Sequence, residues 1–269
     1  MKTVAIVGVG LIGGSFALAL RAAGFAGKII GVSSPEAVRV AIELGVVDEA
    51  LPLAEAAAIA DLIYLARPIE GILSVLDELD AYVKPGALIT DAGSTKAAIC
   101  ARAARKIHRA RFVGGHPMAG KEARGAAEAE ASLFRGRPYI LTSACDELER
   151  LVGSFGARVV MMQPEEHDRL VALTSHLPQL ISTALAASIG TQPEAARVAG
   201  PAAMDLTRLA LSPYDIWRDI FATNAPNIDA ALGVFIAKLE GLRDELRSPR
   251  IEREFENAAA AARRLRGSV

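Results

Sequence analysis

Short apolar runs rich in β-branched residues alternate with helical patterns over roughly the first 160 residues. Candidate strands are TVAIV (3–7), KIIGV (28–32), DLIYLA (61–66), ALITDA (87–92), RFVGG (111–115), RPYILT (137–142) and ARVVMM (157–162). Helical spacing fills most of the gaps, as at 94–107 and 146–155. This alternation predicts βαβ units and a mostly parallel sheet, and the continuous apolar runs suit strands buried on both faces. After MMQPEEHD the strand pattern stops. Helices are predicted at 165–189, about 200–210, 213–222, 226–246 and 250–266. In the first of them Leu170, Leu173, Leu177, Leu180, Ala184 and Leu185 recur at helical spacing, and Pro178 should kink that helix or lock its packing. The expectation is an α/β domain over 1–163 followed by an all-helical domain over 164–269.

Composition changes this picture little. The chain has 269 residues, is 52% hydrophobic and 23% charged, and so can bury a core. Thirty Lys plus Arg against 31 Asp plus Glu give no electrostatic case for nucleic acid or an anionic membrane. Cys100 and Cys145 lie far apart without metal-ligand spacing, which points to reduced thiols in a cytoplasmic protein and to no metal site. The apolar start reads as strand, glycine turn and helix rather than a signal peptide. The later Ala/Leu stretches, interrupted by charges, are not expected to span a membrane.

Candidate chemistry begins with VGVGLIGGS. Gly8, Gly10 and Gly13 form G-x-G-x-x-G directly after a strand, with Leu11 and Ile12 between the last two glycines at the opening of a helix. In that context the motif predicts a dinucleotide site. Gly8 permits the tight turn, Gly10 lets a pyrophosphate approach the backbone, and Gly13 lets helix and strand pack closely. An acid is expected about 20 residues on, to bond the adenosine ribose, yet the position holds Ser33. Ser34 is a natural N-cap before Pro35. A serine at 33 removes the repulsion that an aspartate would exert on a 2′-phosphate, and Arg39 on the next helix is a candidate to reach such a group, although no arginine follows Ser33 directly and Glu36 would oppose a phosphate if it turned inward. These residues favour NADP over NAD.

Ser94, in DAGSTK, lies just past a strand, where open α/β sheets bind ligands; its plainer role is to cap the next helix. His116, in RFVGGHPMAG, follows two glycines at another strand end and is expected over the cofactor crevice. The motifs DAGSTK, FVGGHPMAG, SHLPQ and LTRLALSPYDIWRDIF, in this order behind the glycine fingerprint, resemble the prephenate/arogenate dehydrogenase family from about residue 3 to 245. The resemblance implies a Rossmann-like domain plus a helical dimerisation domain, and a homodimer. It also implies NAD(P)-dependent oxidative decarboxylation of prephenate or arogenate. No preceding mutase segment or added C-terminal regulatory domain is expected.

The site residues follow from the same resemblance. His116 matches the family's catalytic base and Ser94 a serine beside the substrate hydroxyl and nicotinamide. Arg208 matches the arginine that holds the substrate carboxylate; its plainer reading is an exposed helical arginine. Asp168 matches a supporting position, while His167 reads most simply as a residue opening a helix. Ser175 and His176 match SHLP, with a structural role for His176 equally open. Two departures border the expected substrate side chain: Lys121, followed by Glu122, after HPMAG, and Gln179 after SHLP. Which of Lys121 and Glu122 points inward is left open, as is any role for Arg67. Other two-domain NAD(P) oxidoreductases share the fingerprint but leave GGHPMAG, SHLP and WRDIF without a purpose, and the presence of both His116 and Arg208 argues against a non-catalytic NADPH sensor.

Overall fold

The computed structural model describes residues 1–121 and 123–267. Six strands among them form one parallel sheet in the order β3-β2-β1-β4-β5-β6. The strands are β1 (Thr3–Val7), β2 (Lys28–Val32), β3 (Glu49–Ala50), β4 (Leu62–Leu65), β5 (Leu88–Asp91) and β6 (Arg111–Val113). The connecting helices are α1 (Leu11–Ala22), α2 (Pro35–Glu43), α3 (Leu53–Ile59), α4 (Ile69–Glu78) and α5 (Ala97–Lys106). This is the doubly wound order of a dinucleotide-binding fold, whose direction of winding reverses between β1 and β4. Periodicity missed β3, because two residues carry no period.

The expected strand 111–115 is two strands. β6 pairs with β5, while β7 (Gly115–Pro117) joins a second, three-stranded sheet with β8 (Pro138–Leu141) and β9 (Arg158–Met161), antiparallel to β8. The break falls at Gly114, where a Cβ would lie 2.8 Å from both Cys100 Sγ and Thr142 Oγ1. Helix α6 (Asp146–Ser154) connects β8 to β9. Phe16, Tyr64, Tyr139 and Phe155 belong to one buried cluster that joins both sheets. Phe16 stacks on Tyr64 with ring centroids 3.8 Å apart, and the Tyr139 hydroxyl donates to that of Tyr64 at 3.2 Å.

Beyond β9 the described chain is helical: α7 (Pro164–Val171), α8 (Leu177–Gly190), α9 (Pro201–Thr207), α10 (Tyr214–Glu245) and α11 (Arg250–Gly267). A π-helical turn, Ala172–His176, carries α7 into α8. It lies just before Pro178, whose ring cannot donate to the preceding turn, so the widened turn absorbs the proline without ending the helix. The helices expected at 213–222 and 226–246 are the two limbs of α10, separated by a kink where Asn224 leaves helical geometry (φ −132°, ψ 16°) ahead of Pro226. Two compact units result: Met1–Val171 with Leu211–Asn224, and Ala172–Ala210 with Ala225–Val269. Both chain crossings near these kinks coincide with unit edges. The runs Pro164–Gly190 and Tyr214–Glu245 are long and apolar enough to cross a membrane by length and composition alone. The core helices of soluble proteins meet the same criterion.

Candidate active site and cofactor cleft

The β1–α1 loop is shaped by what its glycines exclude. Gly8 has φ +98°, and a Cβ there would lie 2.4 Å from the Ala66 carbonyl oxygen, so only glycine fits. A Cβ on Gly13 would lie 2.1 Å from the Gly8 carbonyl oxygen. Gly10 has nothing within 4 Å of its Cβ position. It precedes α1 without a side-chain cap, so the helix presents unpaired N–H groups and its positive end to open space. A cradle of this form fits the pyrophosphate of a dinucleotide.

That space is a cavity of about 460 Å³ at the winding reversal, bordered by Gly10, Leu11 and Ile12 after β1 and by Ala66–Ile69 after β4. Ala92–Ser94 after β5, Ala119–Lys121, and Asp215, Ile216, Asp219 and Ile220 of α10 also line it. Of the residues expected at the cofactor or substrate, Gly10, Leu11, Ile12, Ser94 and Lys121 therefore border one space. Gly8, Gly13, Ser33, Ser34, Arg39 and His116 do not line it. Ser33 is exposed just beyond β2, and Ser34 caps α2 by accepting from Ala37 N at 3.4 Å. Arg39 pairs with Glu43 at 2.5 Å along α2; an exposed pair at this spacing is worth only about 0.3–0.5 kcal/mol and does not lock the guanidinium there.

Ser94 is not the cap of α5. The helix starts three residues later, and the buried Asp168 carboxylate takes the capping role, accepting from Lys96 N at 2.7 Å and Ala97 N at 2.9 Å. The Ser94 hydroxyl has no hydrogen-bond partner among the described residues and is left to the cavity. Two carboxylates fix the segments around it. Asp91 accepts from Gly93 N at 2.8 Å and Gly115 N at 3.0 Å, and pairs with the ammonium of Lys96, both side chains being fully buried. The neighbours of Ser94 and His116 are thus tied to one side chain. Gly115 has no alternative, since a Cβ would lie 2.6 Å from the Asp91 carbonyl oxygen.

His116 sits mid-strand in β7, half-buried, with Nδ1 2.8 Å from His167 Nε2. His167 Nδ1 in turn lies 2.8 Å from Asp168 Oδ1. His167 is fully buried, so its reading as a mere helix-opening residue is overturned. The carboxylate accepts only, which places the His167 proton on Nδ1 and makes its Nε2 an acceptor. With both rings neutral, His116 then donates through Nδ1–H, and its Nε2 is the unprotonated nitrogen.

Lys121 is held by Glu130 at 3.2 Å and by the Glu128 carbonyl at 3.3 Å; Glu122 lies outside the described residues. Ser175, His176, Gln179 and Arg208 belong to the second unit. Gln179 is buried, and its amide donates to the Leu209 carbonyl at 2.9 Å. Ser182 Oγ accepts from Ala210 N at 3.1 Å. The short turn that begins at Arg208, itself exposed, is thus fastened to α8. His176 is buried at the end of the π turn. Among the described residues no group of three His, Cys, Asp or Glu side chains is arranged for a metal ion.

Comparison with known proteins decides the family. Residues 16–161 match the nucleotide-binding domain of prephenate dehydrogenase, and residues 163–258 its dimerization domain. The chain belongs to the prephenate dehydrogenase family. Prephenate dehydrogenase of Bacillus subtilis is 35% identical over 256 residues, covering 90% of this chain and 69% of that protein. The enzyme of Lactococcus lactis is 33% identical over 231 residues, covering 83% of this chain and 65% of that one. The chain thus spans about two thirds of the length of these two relatives. The crystal structure of A. aeolicus prephenate dehydrogenase in complex with hydroxyphenyl propionate and NAD+ superposes with a TM-score of 0.91 at 31% identity over 98% of both chains.

Prephenate dehydrogenases are oxidoreductases with a nicotinamide cofactor, which agrees with the open, uncapped glycine cradle. Sequence reasoning missed that His167 meets His116 and that Asp91 ties down Gly93 and Gly115. The signal for His167 was its place beside Asp168 in EEHD. Nothing in the chain's periodicity announces that it meets a histidine 51 positions earlier.

Proposed function

We propose that this chain oxidises and decarboxylates prephenate or arogenate, that NADP is favoured over NAD, and that it works as a cytoplasmic homodimer. The observation that carries the reading is the Asp168–His167–His116 relay, which supplies an imidazole with an unprotonated Nε2. That nitrogen takes the proton of the ring hydroxyl as its carbon becomes a carbonyl, a task that suits a group titrating near neutrality. His167 and Asp168 hold the ring and stabilise the imidazolium that forms. The unpartnered Ser94 hydroxyl is the second donor at the substrate oxygen. Arg208, on its fastened turn, offers a planar pair of donors to a carboxylate. The β1–α1 loop of Gly8, Gly10, Leu11, Ile12 and Gly13 would hold the pyrophosphate of the dinucleotide, whose nicotinamide would supply the hydride acceptor when bound. Loss of the ring carboxylate as CO₂ aromatises the product and makes the step irreversible.

The preference for NADP rests on Ser33, exposed at the end of β2 without the acid that would repel a 2′-phosphate. Lys121 stands at the cavity edge, but its pairing with Glu130 leaves little net charge to choose between a keto acid and an amino acid. Ser175, His176 and Gln179 are read as the wall of the substrate pocket nearest Arg208. The dimer is supported by the match to a dimerization domain and by apolar side chains exposed in the second unit, among them Val234, 70% exposed, and Phe255, 71% exposed. Specificity constants for prephenate and arogenate, each with NAD+ and NADP+, test the reading. Turnover of neither acid with either cofactor would overturn it, and a preference for NAD+ would overturn the role of Ser33.

A further inference from the structure

The β4–α4 crossing contributes an arginine, Arg67, to the cavity border. Its aliphatic stem lies over the fingerprint loop: a Cβ on Gly8 would meet Arg67 Cγ at 2.9 Å. Its far end lies over Gly71, where a Cβ would be 3.1 Å from Nε and 3.6 Å from Cζ. Glycine at 71 leaves the room that the guanidinium occupies. The side chain is exposed and has no hydrogen bond or ion pair among the described residues.

Two helix N-termini face the same space. The guanidinium stands beside the first turn of α4, which has no side-chain cap, and the uncapped N-terminus of α1 opens on the same cavity. Both helix ends carry partial positive charge. Glu70 lies in that same first turn of α4, and Asp215 and Asp219 line the cavity, but none of the three pairs with Arg67 among the described residues; Asp219 is taken up by Arg218 at 3.0 Å and by Glu70 N at 3.1 Å. A cation fixed beside two positive helix ends is unfavourable until an anion arrives, and the fork of a guanidinium matches a phosphate.

We propose that Arg67 closes over the dinucleotide and binds its pyrophosphate, opposite the N–H groups of α1. The pyrophosphate, rather than the 2′-phosphate, is the partner because Arg67 shares its cavity with Gly10, Leu11 and Ile12, whereas Ser33 and Ser34 lie outside that border. This assignment rests on the cavity being the cofactor cleft.

The test is calorimetric titration of the full chain and of Arg67→Ala and Arg67→Lys with NAD+ and with NADP+, with thermal unfolding to show that the exposed substitutions leave the fold intact. Arg67→Ala should weaken both dinucleotides about tenfold or more, and to the same extent, with Arg67→Lys between it and the parent. Weakening of NADP+ alone would place the guanidinium on the 2′-phosphate and overturn the assignment, as would unchanged affinity for both. Should the parent chain bind neither dinucleotide, the cofactor reading of the cleft itself fails.

Discussion

His116 Nδ1 and His167 Nε2 lie 2.8 Å apart, with the two rings edge to face and their centroids 5.0 Å apart. The catalytic candidate is therefore oriented by a buried histidine, and that histidine by a carboxylate which also caps α5. One acid, Asp168, fixes both the tautomer of the proposed base and the start of the helix that follows Ser94. Replacing His167 by Ala or Phe should leave the dinucleotide bound but lower kcat by about tenfold or more, with KM nearly unchanged. It should also shift the pH dependence of kcat, because the His116 imidazolium loses its acceptor. Steady-state rates across pH check this. A fall in KM-dependent terms alone, with an unmoved profile, would make His167 purely structural.

His116→Ala removes the proposed base. Turnover should fall by at least ~10²-fold, the usual contribution of a positioned general base, while cofactor affinity by titration stays close to the parent value. An unchanged rate would remove His116 from the chemistry.

How much of this was readable beforehand differs by level. The βαβ alternation and the glycine fingerprint are local patterns, and β1, α1 and β2 lie where they were expected. The break at Gly114 was not legible, because it depends on Cys100 and Thr142, distant in sequence, leaving no room for a side chain. The same distance hid the relay: His116 and Asp168 were each picked out by motif, but the residue that joins them was set aside. Ser94 as a helix cap failed for a related reason. Its spacing to the helix was right in kind, and a carboxylate from 71 or 72 residues away had already taken the N–H groups.

The fastening of the Arg208 turn by Gln179 gives a separate prediction. Gln179→Ala removes the amide that donates to the Leu209 carbonyl at 2.9 Å and leaves that carbonyl without this bond. If the turn presents Arg208 to a substrate carboxylate, KM for the acid should rise several-fold with a smaller change in kcat, and Arg208→Ala should raise KM further. The double variant should be less than the product of the two, since both act on one contact. Independent effects on KM would separate Gln179 from Arg208.

The exposed apolar positions of the second unit should be covered by a second copy of the chain. Light scattering should return twice the chain mass, and Val234→Asp, a charge at an exposed apolar site on α10, should shift the chain toward monomer. A monomeric parent would end the homodimer reading. A dimer indifferent to this charge would move the interface away from that face.

Alkaline stability tests the half-buried Cys100 thiol. Cys100 donates to Thr142 Oγ1 at 3.8 Å beside Gly114, and burial pushes its thiol up to about 11 from an ordinary 9.0. A group whose folded value is raised stabilises the fold fully below the unfolded value, and that contribution is lost as pH rises through the folded one. The window here runs from about pH 9 to about 11. Burial also raises the phenols of Tyr64 and Tyr139, which adds loss in the same direction at higher pH. Melting temperatures should therefore fall across this window, and Cys100→Ser should flatten the first part of the decline while leaving the tyrosine part. At pH 8 the native thiol should resist iodoacetamide and react once the chain is unfolded, because the thiolate is the nucleophile. Rapid alkylation of Cys100 in the folded protein would show that the thiol is not shielded between α5 and β8.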